Sequence, residues 1–131
     1  MNVLFIGKEM RYRDYKDLKV WQKAMDLTIE VYSLVKFLPQ DEKFGLSDQM
    51  RRAVVSIPSN IAEGEGRNSD KDLVKFLLIA RGSLWELSTQ IEICERLNFL
   101  AVSQTAPVKS LITEVSKMMN ALLASLESEK Q

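Results

Sequence analysis

The stretch Asp17–Leu38, DLKVWQKAMDLTIEVYSLVKFL, decides the fold. Its apolar residues recur every three or four positions, the spacing of a helix face, and nothing in it breaks a helix before Pro39. It carries two adjacent apolar strips. Leu18, Trp21, Met25, Thr28, Ile29, Tyr32 and Val35 form one; Val20, Ala24, Leu27, Val31, Leu34 and Leu38 form the other. Together they span roughly 220° of the circumference, against the ~100° stripe that an ordinary surface helix needs. That much apolar surface requires two covers. We expect the first strip to face the core and the second, with Val20, Leu27, Val31 and Leu34, to face a neighbouring subunit.

Downstream, the pattern gives three more helices. A second, over residues 47–63, opens at Ser47 as N-cap and carries Met50, Val54, Ile57 and Ile61 on one face. Pro58 predicts a kink in it, and Gly64 and Gly66 are expected to end it. A third, over 69–97, opens with Ser69 and Asp72 as a capping pair; its seam runs from Leu73 through Leu77, Ala80, Leu84, Leu87 and Ile91 to Cys94. Val74, Leu78 and Trp85 lie off that seam and join the expected oligomer interface. The small pair Gly82 and Ser83 lets another backbone come close. A fourth helix covers 105–128, with Pro107 in its first turn. Short connections between helices make antiparallel neighbours, so the expected fold is all-α, an up-down-up-down four-helix bundle. The single domain spans 1–131, with 1–14 as a flexible leader and Met10 as an alternative start.

Composition narrows the chemistry. The chain has 131 residues, 18 Lys plus Arg against 18 Asp plus Glu, one Cys and no His. Without imidazole there is no His-dependent triad and none of the commonest metal ligand. One cysteine excludes an internal disulfide and any Cys-rich zinc site. No run of about 18 apolar residues spans a bilayer and no signal peptide opens the chain, so we expect a cytoplasmic protein with no membrane contact. Neither a cofactor nor an enzymatic activity is expected.

Three strings carry a family resemblance: DLKVWQKAMDLTIEVY (Asp17–Tyr32), LSDQMRRAVVSIPSNIAEGEGR (Leu46–Arg67) and FLLIARGSLWELSTQIEI (Phe76–Ile93). They resemble the bacterial four-helix bundle proteins whose founding members are encoded by intervening sequences in 23S ribosomal RNA genes. The accessory variability protein of diversity-generating retroelements looks like a relative. The likeness implies a four-helix protomer, a homo-oligomer that is pentameric in relatives, and no enzymatic activity. By analogy with the retroelement relative, it also implies RNA or DNA and a reverse transcriptase or other protein as partners.

Basic residues are the candidate nucleic-acid contacts, since phosphates are held by Lys and Arg that converge on one surface. One group is Arg11, Arg13, Lys16, Lys19 and Lys23, with Tyr12 and Tyr15 placed to stack on bases. The other is Arg51, Arg52, Arg67, Lys71, Lys75 and Arg81 around the corner between the second and third helices. The competing reading is a solvated helix face with local acidic partners. Gly64-Glu65-Gly66 lacks the preceding strand and the Lys of a phosphate loop and reads as a helix end. Glu92 and Glu95 lack the histidines of a di-iron bundle. Cys94, on the seam, reads as a buried, inert thiol.

Overall fold

The computed structural model describes residues 14–128 and, ahead of them, the backbone of two short strands, β1 (Val3–Leu4) and β2 (Arg11–Tyr12). These pair antiparallel, Val3 opposite Tyr12 and Leu4 opposite Arg11. Apart from that pair and Asp14, the leader expected over 1–14 lies outside the described residues. Everything else is built on four helices: α1 (Lys19–Leu34), α2 (Leu46–Gly66), α3 (Asp70–Arg96) and α4 (Val102–Ser128).

Local hydrogen bonds move the helix ends from where spacing alone puts them. The Asp14 side chain accepts from the Lys16 N–H at 2.9 Å and tightens residues 15–17 into a 3-10 turn. Leu18 is extended, so α1 starts only at Lys19. Ser47 is not the cap of α2. That helix opens at Leu46, and the Glu42 carboxylate accepts the Leu46 N–H at 3.2 Å. Ser69 does cap α3, accepting from the Asp72 N–H at 3.3 Å. The fourth helix begins earlier than expected because Gln104 reaches back to accept the Ala101 N–H at 2.8 Å. That half of a capping box fixes Ala101 as the cap and places Pro107 in the second turn.

Gly64 does not end α2; it lies inside that helix and is buried. A Cβ there would come within 2.8 Å of Phe76 Cβ and 3.3 Å of Leu73 Cα, so glycine is what lets α3 lie this close. The stop falls at Asn68, whose φ of 54° is left-handed, a conformation asparagine tolerates better than most residues. Pro58 leaves the helix continuous over 46–66 but cannot donate to the Val54 carbonyl. The Thr28 hydroxyl of α1 lies 3.5 Å from that carbonyl, while donating to Ala24 O at 2.8 Å.

Contacts between neighbouring helices set their register. Ser56 and Ser83 hydroxyls meet at 2.8 Å, and the Cys94 thiol donates to Met50 Sδ at 3.7 Å. From α3 to α4, Arg81 donates to Asn120 Oδ1 at 3.1 Å and Thr105 donates to Glu95 at 2.5 Å. In both pairs residue numbers fall on one helix as they rise on the other. Lys23 of α1 reaches Glu114 of α4 at 3.7 Å.

The core corrects the reading of α1. Val20, Ala24, Leu27, Val31 and Leu34 all face inward, with Leu27 0% exposed. Val20, Leu27, Val31 and Leu34 are therefore core residues of this chain and offer nothing to a neighbouring subunit. The strip expected inside is divided: Leu18 and Val35 are buried and Trp21 and Thr28 half-buried, but Met25, Ile29 and Tyr32 are exposed, with Ile29 64% exposed. The reason is chemical. The buried strip is purely aliphatic, whereas the other carries an indole N–H, a threonine hydroxyl and a phenol that need partners or water.

Leu27→Asp should therefore unfold the chain rather than merely block association, with a loss above about 4 kcal/mol from a charge placed in the core. Circular dichroism of the purified variant is the check; native helicity would contradict the assignment. Gly64→Ala should cost about 1–2 kcal/mol net, overpacking outweighing the gain in helix propensity. Chemical denaturation measures that balance.

Candidate nucleic-acid and self-association surfaces

Placed on the helices, the basic candidates divide differently from the sequence grouping. Lys16 and Lys19 stand at the start of α1, Arg67 just past the end of α2, and Lys71 and Lys75 in the first turns of α3. The register brings these five to one end of the helices. Arg51 and Arg52 sit near the start of α2, 16 and 15 residues before Arg67, about 23–24 Å away along the helix axis. The second sequence group is thus split between opposite ends. Arg81 is committed to Asn120 and lies 5.0 Å from the Trp85 ring centre. The side chain of Arg11 and all of Arg13 lie outside the described residues.

Local acids occupy some of these cations. Lys23 meets Glu114, Arg52 meets Asp48 at 2.9 Å, and Arg67 meets Glu63 at 3.0 Å. Arg51 reaches the Lys43 carbonyl at 3.4 Å. Lys16, Lys19, Lys71 and Lys75 are exposed and make no ion pair among the described residues. Arg67 and Lys75 both lie over the Phe76 ring, at 5.2 and 5.8 Å, which holds two cations on one small area. Tyr15 is half-buried and packs edge-on against Trp21 at 5.3 Å, so its ring is engaged within the chain. The side chain of Tyr12 lies outside the described residues.

Among the described residues, apolar groups gather on the surface in places that include the following two. Between α1 and α2, Tyr15, Trp21, Met25, Val55, Pro58 and Ala62 line a depression of about 360 Å³. Val55 also borders a second, largely polar depression of about 440 Å³ lined by Tyr32, Asp48, Arg51, Arg52 and Ser56, so the two adjoin along α1 and α2 as a trough. On the outward side of α3, Leu78, Ile79, Trp85 and Ile93 are exposed, and Trp85 is 57% exposed. Val74, from the expected interface, is half-buried against the core. Gly82 lies in the middle of this face, and a Cβ added there would meet nothing within 4 Å. The approach expected at Gly82 and Ser83 is made by Ser83 alone, to Ser56.

Of the polar groups that remain, Glu95 and Thr105 are bonded into a helix junction, whereas the side-chain oxygen of Gln90, buried in α3, has no hydrogen-bond partner among the described residues. Glu95 accepts from Lys109 at 2.6 Å and from Thr105, which ties α3 to the start of α4. Those two hydrogen bonds hold its carboxyl below the usual glutamate range. Glu92 points instead to Arg96, at 3.0 Å. The two carboxylates share no site. Burial, with the nearby charges of Glu42 and Glu95, pushes the Cys94 thiol up to about 11. Among the described residues no group of three acids or cysteines is placed to hold a metal, and no helix is long and apolar enough to cross a membrane. Sequence reasoning missed the α1–α2 trough and the Glu95–Thr105–Lys109 junction. The trough was marked by the mixed aromatic and hydroxyl character of one α1 strip. The junction, spanning ten residues and a turn, left no periodic signal.

What these surfaces define is a four-helix protein whose charged side chains mostly join helices or lie on the outside. The chain belongs to the 23S rRNA-intervening sequence protein family, whose model matches residues 16–121. The fold is also similar to the crystal structure of a protein of unknown function from the S23 ribosomal protein family of Bacteroides thetaiotaomicron. The two are 28% identical with a TM-score of 0.73, over 79% of this chain and 97% of that one. No curated protein matches.

A carboxyl held low in the folded state stabilises the fold above its unfolded pKa, and that contribution is lost as the pH falls through the folded value. Glu95→Gln should lower Tm at neutral pH, and the deficit should shrink towards about pH 3, below the ordinary glutamate pKa. A deficit that stays constant across that range would show that the charge of Glu95 is irrelevant.

Proposed function

We propose that the chain is a non-enzymatic, up-down-up-down antiparallel helical module that self-associates and presents its basic end to RNA or DNA. The observation that carries the assembly is the pair of open apolar surfaces, the α1–α2 trough and the outward face of α3. Rings and aliphatic chains of this size left together on a surface mark a place where protein docks. Exposed Lys16, Lys19, Lys71 and Lys75 at one end support the nucleic-acid half of the reading. Repetition of that end in an oligomer would multiply a weak phosphate contact, since linked sites raise the effective concentration of one another.

The runner-up reading is assembly with no nucleic acid at all. It is favoured by the acids interspersed at the same end, where Glu63 already occupies Arg67. Titration of labelled single-stranded RNA and DNA against the intact protein separates the two. Binding should weaken steeply with salt, and Lys71→Glu with Lys75→Glu should reduce affinity by at least about tenfold and flatten the salt slope. Absence of binding at low ionic strength, with assembly intact, would leave the module a self-associating one only.

A further inference from the structure

We propose that the groove between α2 and α3 holds a pocket for one unpaired guanine of a single strand whose phosphates lie on Lys71 and Lys75. The inference rests on the nucleic-acid reading and adds to it the base that the site recognises.

The pocket has a volume of about 180 Å³, room for one base, and is lined by Gln49, Arg52, Ala53 and Ser56 of α2 and by Ser83 and Glu86 of α3. Its donors and acceptors can be counted. Asn60 Nδ2 donates to Ser56 Oγ at 2.9 Å, and the Ser56 and Ser83 hydroxyls share one hydrogen bond at 2.8 Å. Whichever serine donates, one hydroxyl proton stays uncommitted among the described residues. Arg52 gives its Nε–H to Asp48, which offsets its charge, whereas Glu86 makes no ion pair among the described residues. The pocket thus offers one hydroxyl donor and a carboxylate with two acceptor oxygens. Gln90 adds a second sign. It follows Glu86 by one turn, and the Ser56–Ser83 and Met50–Cys94 contacts put it level with Gln49 and Ala53. It is 4% exposed and its side-chain oxygen has no partner, so a buried acceptor at this level of the groove lacks its donor.

Guanine has the matching complement. Its Watson–Crick edge carries two neighbouring N–H groups, at N1 and N2, which meet both oxygens of one carboxylate, and its O6 accepts from a hydroxyl. Adenine, cytosine and uracil each present a single donor group on that edge. The same carboxylate repels phosphate, so the uncharged base enters while the backbone stays outside.

Helix α3 leads from the lysines to the pocket. Lys71, Lys75, Gly82 and Glu86 follow one another at spacings of four, seven and four, which sets them on one side of the helix. Glu86 lies 11 residues beyond Lys75, about 17 Å along the axis, a reach of a few nucleotides. Between them Gly82 has open space where a side chain would stand, so sugar and phosphate can pass close to the helix.

The test uses short uridine and thymidine oligomers, each plain or carrying one guanine, adenine or hypoxanthine, titrated against the intact protein. The guanine oligomer should bind at least about fivefold tighter than the plain one. Adenine should add nothing, and hypoxanthine, which lacks the N2 amino group, should lose most of the gain. Glu86→Gln, on an exposed position and checked for native helicity by circular dichroism, should bring the guanine oligomer down to the affinity of the plain one. Equal binding of guanine and adenine, hypoxanthine binding as tightly as guanine, or a guanine preference that survives Glu86→Gln overturns the pocket and leaves the lysine contacts standing. Failure of every oligomer to bind at low ionic strength overturns the nucleic-acid reading, and this inference with it.

Discussion

The rotation of α1 about its own axis governs the rest of the molecule. Once Val20, Leu27, Val31 and Leu34 turn inward, the helix has no freedom left in what it shows. Met25, Ile29 and Tyr32 must face out, and Trp21 and Thr28 must line the seam with α2. The direction of that rotation is set by unequal desolvation. Aliphatic side chains lose only water on burial, whereas Tyr, Thr and Trp bring polar atoms that must each find a partner in the core. The trough is what remains when the aliphatic strip wins.

This is also why the fold was more legible in the sequence than its surface. Helix number, class and family follow from periodicity and from the strings around Trp21, Pro58 and Trp85, because burial repeats every three to four residues. The identity of the buried face on α1 depended on a finer comparison, between two strips of equal spacing and unequal polarity. Counting apolar residues treats Tyr32 and Val31 as equals; desolvation does not. Helix ends were misplaced wherever a side chain several residues away supplied the cap, as Glu42 does for α2 and Gln104 for α4. Gly64 misled for the same kind of reason: its use is the approach of a helix distant in sequence, which no local rule contains.

The basic residues illustrate the other limit. Sequence proximity grouped Arg51 and Arg52 with Arg67, yet a helix carries residues apart as steadily as it brings turns together. The end that gathers Lys16, Lys19, Lys71 and Lys75 is created by chain reversal between α2 and α3, and by the return of α1 alongside them. Candidate contacts to phosphate are a property of the ends of this fold, not of any one segment.

That reversal hangs on very little chain. Only Arg67, Asn68 and Ser69 separate α2 from α3, and Asn68 alone has the left-handed backbone that folds one helix back on the other. Were that residue and the extended Ser69 both to relax into the ordinary right-handed conformation, Leu46 to Arg96 would straighten into a single rod about 75 Å long. Its apolar side would then be stripped bare until another polypeptide exchanged the same half for it, the route by which swapped dimers arise. The torsions of one asparagine and one serine keep each chain closed on itself.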